Sequence, residues 1–390
     1  MAIISIENQP LKILMVLHMP WDRNLGGSRV QLELAEEFQA MGHHVEKFDI
    51  NDAFPHAKPS LIASLTRPSF SVKAKAFVCA NAHRFDIIDA HQGNLPFSKK
   101  ELGFQGLLIA RSVGLHAFYE EYFRQERQTF PTQNWKLKLL DILLTGQRNR
   151  ERPLYPRSFQ YCDLINLPNR DELAYVRDVM GWGEKARVFP FGISRSRQAE
   201  FANIIPPARL RLTHPTVAFI GTWSGRKGAR DWREIIQRVR QQIPNVRFHF
   251  LGTSLHEKAV LADLQGQEDI VKIVPQYNSS ELPQLLRDVT VGAFPSYIEG
   301  FGFAVLEKLA CGIPTVVYDV PGPREMLCYL DESWRVAAGD IEGFSDRIVR
   351  LLQQNEISYA QLSQQCVDVT AKFTWDCIAR DTLTAYLGLG

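Results

Sequence analysis

Three observations predict an α/β fold built from two doubly wound parallel sheets. Short apolar runs alternate with longer helical patterns along the 390-residue chain. The runs are near-continuous in Val, Ile, Leu and Phe, as strands covered on both faces by helices are. A polar, proline-bearing stretch at 194–215, SRSRQAEFANIIPPARLRLTHP, breaks the rhythm, and strand, turn and helix then begin again. The predicted domains are 1–200 and 201–372. In open parallel sheets ligands sit at the carboxyl ends of the strands, so the two are expected to face each other across a cleft.

The elements follow in order. KILMVLH (12–18) reads as the first strand and SRVQLELAEEFQAM as its amphipathic helix. HVEKFDI, FDIIDAH (85–91), GLLIARS (106–112), DLINLP and ARVFPFG continue the first domain. TVAFIG (216–221), VRFHFLG (246–252), DIVKIVP, VTVGAFPS and PTVVYDV supply the second. The segment 119–157 departs from the rhythm. It gathers Arg124, Arg127, Lys136, Lys138, Arg148, Arg150, Arg152 and Arg157 around WKLKLLDILL. A solvated helical insertion packing its apolar stripe is the simpler reading, and a peripheral contact with an anionic membrane the sharper one.

Bulk composition narrows the function. A formal net charge of +2 lacks the basic excess of a nucleic-acid protein. The six cysteines are scattered with no CxxC pair, which fits reduced thiols in a cytoplasmic protein. No apolar run approaches the ~20 residues that span a bilayer. GxSxG, Walker A and HExxH patterns are absent, as is a DxD pair, so no metal or other cofactor is expected.

Three stretches after predicted strands can carry chemistry. In NLGGSRVQLELAEEF, Gly26 and Gly27 form the strand-to-helix turn with Ser28 as the expected N-cap, which suits either an approaching anion or tight packing. In FIGTWSGRKGARDW, Arg226 and Lys227 stand at a strand's carboxyl end, where a fork and a point charge suit a diphosphate. In FPSYIEGFGFAVLEKLACGIP, Gly300, Phe301 and Gly302 make a turn between Glu299 and a helix carrying Glu307. Two carboxylates flanking a phosphate site suit a sugar nucleotide, one for sugar and one for ribose hydroxyls. His116 follows the strand GLLIARS, and His91 ends the strand FDIIDAH. A lone histidine after a core strand is more often a packed or capping residue than a binding one.

The Glu299-Gly300-Phe301-Gly302-Phe303 run followed by Glu307 resembles the motif of family-4 retaining glycosyltransferases of GT-B fold, the glycosyl transferases group 1. The GG turn, FDIIDAH, SVGLHAF, PFGIS, the RKG turn and FTWDCIARDTLTAYL come in that family's order, leaving only the basic insertion outside the resemblance. The resemblance implies that 373–390 crosses back to the first domain. It also implies that Glu299 contacts donor-sugar hydroxyls, Glu307 the ribose, and Lys227 with Arg226 the departing diphosphate. His116 is then the histidine near the reacting centre, with Gly26 and Gly27 over the phosphate and acceptor. Thr222 departs from the pattern, since the family usually has arginine directly after the glycine that Gly221 matches. The charge is then left to Arg226 across the turn, or to Lys227 and a helix end.

The expected activity is metal-independent, retaining transfer of a sugar from a nucleoside-diphosphate donor to an acceptor hydroxyl by front-side attack. A sugar-nucleotide epimerase or hydrolase on the same scaffold, and a non-catalytic sugar-nucleotide or glycan binder, are the alternatives.

Overall fold

The computed structural model describes residues 9–55, 69–130, 145–146 and 149–388. The chain divides into two compact units, one of residues 1–190 and 376–390, the other of residues 191–375. Each contains a six-stranded, all-parallel sheet.

In unit 1, β1 (Lys12–Val16), β2 (His44–Phe48), β3 (Ile87–His91), β4 (Leu107–Arg111), β5 (Leu164–Leu167) and β6 (Ala186–Val188) are arranged β2-β1-β3-β4-β5-β6. Ile88, Ala90, Leu108, Ala110, Ile165 and Leu167 meet in one buried core. Each fully buried Val, Leu or Ile there contributes roughly 1.5–3 kcal/mol of transfer free energy, so apolar strands drive the layer's formation. The strand order changes direction between β1 and β3, and this is where a doubly wound sheet opens a crevice.

In unit 2, β7 (Thr216–Ile220), β8 (Arg247–Leu251), β9 (Val271–Val274), β10 (Val291–Phe294), β11 (Thr315–Tyr318) and β12 (Arg335–Val336) are arranged β12-β11-β10-β7-β8-β9. The chain winds outward from β7 through β9, then returns to pair β10 on β7's other edge, Val291 opposite Val217. β7 and β10 are buried along their whole length, as their uninterrupted apolar sequences require. The crevice therefore falls beyond the ends of β7 and β10, where the sequence places its RKG and EGFGF turns.

The polar stretch at 194–215, read from the sequence as a linker or domain edge, begins just past the boundary between the units and is ordered within unit 2. It contains helices Arg195–Ala202 and Ala208–Thr213, and Ser194 caps the first by accepting from the Arg197 N–H. Pro207 stands just before the second helix, while Arg197, Glu200, Arg209 and Arg211 lie within the helices. The last helix, Trp375–Leu387, packs on unit 1 through Tyr386. Much of the basic insertion, including Lys136, Lys138, Arg148 and WKLKLLDILL, lies outside the described residues. Within its described part, Arg124 pairs with Glu121 and Arg152 with Glu120. Among the described residues no helix is long and apolar enough to cross a membrane.

Candidate active site

The loops after β7 and β10 are stitched to each other. The Tyr297 N–H donates to the Arg226 carbonyl at 2.9 Å. Gly228 has φ +78°, and a Cβ on it would collide with the Pro295 carbonyl oxygen and lie 2.8 Å from the Pro295 ring. Only glycine serves both the left-handed backbone and this approach. Beneath, the buried Asp231 carboxylate accepts from the Tyr297 hydroxyl at 2.9 Å and the Tyr318 hydroxyl at 2.7 Å. Burial raises the Asp231 pKa against those two hydrogen bonds.

This scaffold brings three predicted residues together. Lys227 Nζ donates to Glu299 Oε1, and Arg226 Nη1 lies 3.4 Å from the same oxygen and 3.4 Å from the Ile298 carbonyl. Their side chains are 14%, 9% and 26% exposed for Lys227, Glu299 and Arg226, so the group is sheltered but reachable. Burial pulls the Lys227 ammonium below its usual pKa, Glu299 opposes that, and Arg226 adds to it. Two cations thus share one carboxylate, leaving a local excess of positive charge beside the strand ends. A dianionic diphosphate is what such an excess attracts.

Gly302, with φ +95°, precedes the helix Phe303–Ala310, whose N-terminus no side chain caps. Glu307 is buried on that helix. The Phe301 ring packs among Phe191, Phe303 and Phe373.

Unit 1 places His116 as the first residue of the helix His116–Thr129. Its ring stacks on Tyr155, with centroids 3.6 Å apart and planes 14° apart, and its backbone N–H donates to Gln92 Oε1 at 3.3 Å. Burial lowers the His116 pKa and so favours the neutral ring, Glu120 opposes this and Arg152 reinforces it. The preceding loop is clamped by buried Glu172, which lies 2.5 Å from the Ser112 hydroxyl and accepts from the Leu115 N–H at 3.0 Å. Gly26 and Gly27 open the helix Gly26–Ala40. A Cβ on Gly27 would lie 2.9 Å from Met19 Sδ and 3.7 Å from Val113, placing this turn beside the His116 loop. Ser28 is not the expected N-cap. Its hydroxyl instead donates to the Pro20 carbonyl at 2.6 Å and accepts from the Asp22 N–H, folding the loop before the helix.

Sequence reasoning missed Asp231, Tyr297, Tyr155 and Glu172. Tyr297 and Asp231 lie within the two quoted stretches, but their neighbours in the chain do not mark them. Tyr155 and Glu172 carried no local signal, because tertiary packing alone brings them to the His116 loop. Among the described residues, no group of three or more His, Cys, Asp or Glu side chains is arranged to hold a metal ion.

Residues 214–354, which include Arg226, Lys227, Glu299 and Glu307, match the family described as Glycosyl transferases group 1. The chain carries a glycosyl transferases group 1 domain. It is 28% identical over 230 residues to D-inositol 3-phosphate glycosyltransferase of Mycobacteroides abscessus, covering 57% of this chain and 48% of that protein. It is 25% identical over 175 residues to O-antigen chain mannosyltransferase B of Escherichia coli, covering 43% of this chain and 44% of that one. The chain thus spans about half the length of the curated relatives it matches. Sucrose-phosphate synthase from Thermosynechococcus elongatus superimposes with a TM-score of 0.73 at 19% identity, over 97% of this chain and 99% of the other. HepE from Anabaena, solved in complex with UDP and glucose, gives 0.65 at 16% identity, over 96% and 99%. The fold is the GT-B fold of the glycosyltransferases.

Proposed function

We propose that this group 1 chain is a family-4-type retaining glycosyltransferase, moving a hexosyl unit from a nucleoside-diphosphate sugar to an acceptor hydroxyl. The observation that carries the reading is the convergence of Arg226 and Lys227 on Glu299 at the switch point of unit 2. In the free protein the ammonium is held by the carboxylate. A bound diphosphate competes for that ammonium, turning Glu299 toward the sugar hydroxyls while Glu307 takes the ribose.

Transfer then proceeds from the leaving-group side. The acceptor oxygen bonds to the anomeric carbon as the bond from that carbon to the phosphate oxygen breaks, and the acceptor proton passes to a diphosphate oxygen. Arg226 and Lys227 stabilise the charge that develops, without a metal step. His116, its neutral form favoured by burial, serves as a hydrogen-bonding ring for the sugar rather than as a cation.

The relatives' names make inositol phosphates and mannose-bearing glycans the first acceptors to test, and the titles of solved neighbours favour UDP. We place the enzyme in the cytoplasm, with peripheral membrane docking through 119–157 as its route to a lipid-linked acceptor. Its cysteines among the described residues are all free, as a reducing compartment keeps them.

A thermal-shift screen against UDP-, GDP-, ADP- and TDP-sugars tests the reading first. A donor at 100 times its dissociation constant stabilises by ~2.7 kcal/mol. NMR of the product with the best donor and acceptor then reports the anomeric configuration, and the reaction should survive a chelator. If no donor shifts the melting temperature, the reading fails. Isomerisation or hydrolysis without acceptor points to the epimerase or hydrolase, and binding without turnover to a non-catalytic binder.

A further inference from the structure

The helix Phe303–Ala310 carries a charge that donor recognition does not use. Lys308 is fully buried, between Glu307 and Leu309 on a helix whose residues from Val305 to Ala310 are all buried. Its Nζ donates to the Ala293 carbonyl at 3.0 Å and makes no ion pair among the described residues. The stem crosses β10 at Gly292, where a Cβ would lie 2.8 Å from Lys308 Cδ. Room for this lysine is therefore built into the strand. Beyond it, Lys308 Nζ stands 5.2 Å from the centre of the Phe294 ring, and Lys227 Nζ stands 5.1 Å from the same centre. Two ammonium groups thus share one aromatic ring, and Glu299 pairs with only the outer one.

We propose that Lys308 is a positioning residue of the donor site. It anchors the end of β10 from within, and its ammonium is the buried half of a lysine pair that a bound diphosphate draws into the charged state. This rests on the donor reading above and deepens it.

The charged groups facing Lys308 are few. Lys227 from the loop after β7 opposes its charge and Glu307 from its own helix favours it. Behind Lys227 stand Arg226 and Glu299. β10 and β11 offer Gly292, Ala293, Phe294 and Thr315, none of which titrates. Burial, the largest influence, and Lys227 bring the Lys308 pKa down to about 7 from 10.5. The amine is therefore part-neutral in the free protein near neutral pH. A dianion arriving at Lys227 cancels the opposing charge, raises the Lys308 pKa and pulls in a proton. Binding must then weaken as pH rises above the free-state value, because the proton has to be supplied at greater cost.

Calorimetry with UDP tests this on the intact chain, at about pH 8, in buffers of different ionisation enthalpy. The terminal phosphate of UDP ionises near pH ~6, so the ligand itself contributes no proton change there. The wild type is expected to take up a fraction of a proton per UDP, and its affinity to fall about three- to tenfold from pH ~7 to ~9. Lys308→Met, of similar volume, should bind UDP with no proton uptake and a flat profile. Lys308→Arg, charged throughout, should also be flat, with tighter binding than the wild type at the alkaline end. A purely structural lysine would change affinity in both variants and leave proton uptake as it was. Uptake that persists in Lys308→Met, or binding without uptake in the wild type, overturns the inference alone. If UDP, GDP and ADP all fail to bind the wild type, the donor reading and this inference fall together.

Discussion

Two charged clusters, one in each unit, sit at different heights along their strands. In unit 1 an ion pair lies inside the strands. Arg111, at the end of β4, forms a 2.5 Å ion pair with Asp89 in the middle of β3, and the Tyr386 hydroxyl donates to Asp89 at 2.8 Å and accepts from Arg111 at 3.0 Å. Both charged side chains are essentially inaccessible, at 1% and 0% exposure. In unit 2 the cluster of Lys227, Arg226 and Glu299 lies in the loops past β7 and β10 and remains partly open. For these two clusters, height along the parallel strand separates structure from binding. Within the strand the charge is saturated by neighbours and can only hold structure. Past the carboxyl end it keeps valence for a ligand.

Asp89→Ala should have the largest effect. It leaves the Arg111 guanidinium buried beside an empty acceptor, so denaturant unfolding should show a loss of about 3–5 kcal/mol. UDP affinity of the folded fraction should hold, and a loss confined to affinity would mean that unit 1's network is not structural. The reverse pattern is expected of Lys227→Ala. Sugar transfer should fall about 10²–10³-fold, with the melting temperature almost unmoved.

Glu172 sharpens the comparison within unit 1, since its carboxyl holds the His116 loop. Glu172→Ala should cost about 1–3 kcal/mol by stranding the Leu115 N–H and the Ser112 hydroxyl. Burial pushes the Glu172 pKa up to about 7 from 4.5, so the folded state prefers the protonated form. The stabilisation is then complete below about pH 4.5 and is lost as pH rises through about 7. Glu172→Gln mimics the protonated form, its amide donating to Ser112, and should be more stable than the wild type at pH ~8. Melting curves across pH check both.

Smaller effects remain. Tyr386→Phe removes one hydroxyl from the Asp89 network and should cost about 1–2 kcal/mol. Thr222→Arg, at an exposed position, should tighten UDP binding by less than about 1 kcal/mol, in a salt-dependent way. A larger gain would mean that Arg226 does not supply the charge this chain lacks at 222.

The sequence by itself determined the two-sheet α/β class. Apolar runs too continuous for one-sided strands can only be covered by helices on both faces. It also determined that Arg226, Lys227, Glu299 and the glycine turn stand just past strand ends, because those motifs are local. Tertiary structure alone decided what lies beneath them. Asp231 joins Tyr297 to Tyr318, Glu172 reaches the loop before His116, and Tyr155 stacks on His116, each contact spanning many residues. Ser28 was misjudged for the same reason, its hydroxyl being spent on Pro20 rather than on the helix end. Local chemistry follows from neighbours in the chain, and so can be read. Burial and charge pairing follow from neighbours in space, which depend on strand order, and nothing in the spacing of residues announces whether β10 returns beside β7 or elsewhere.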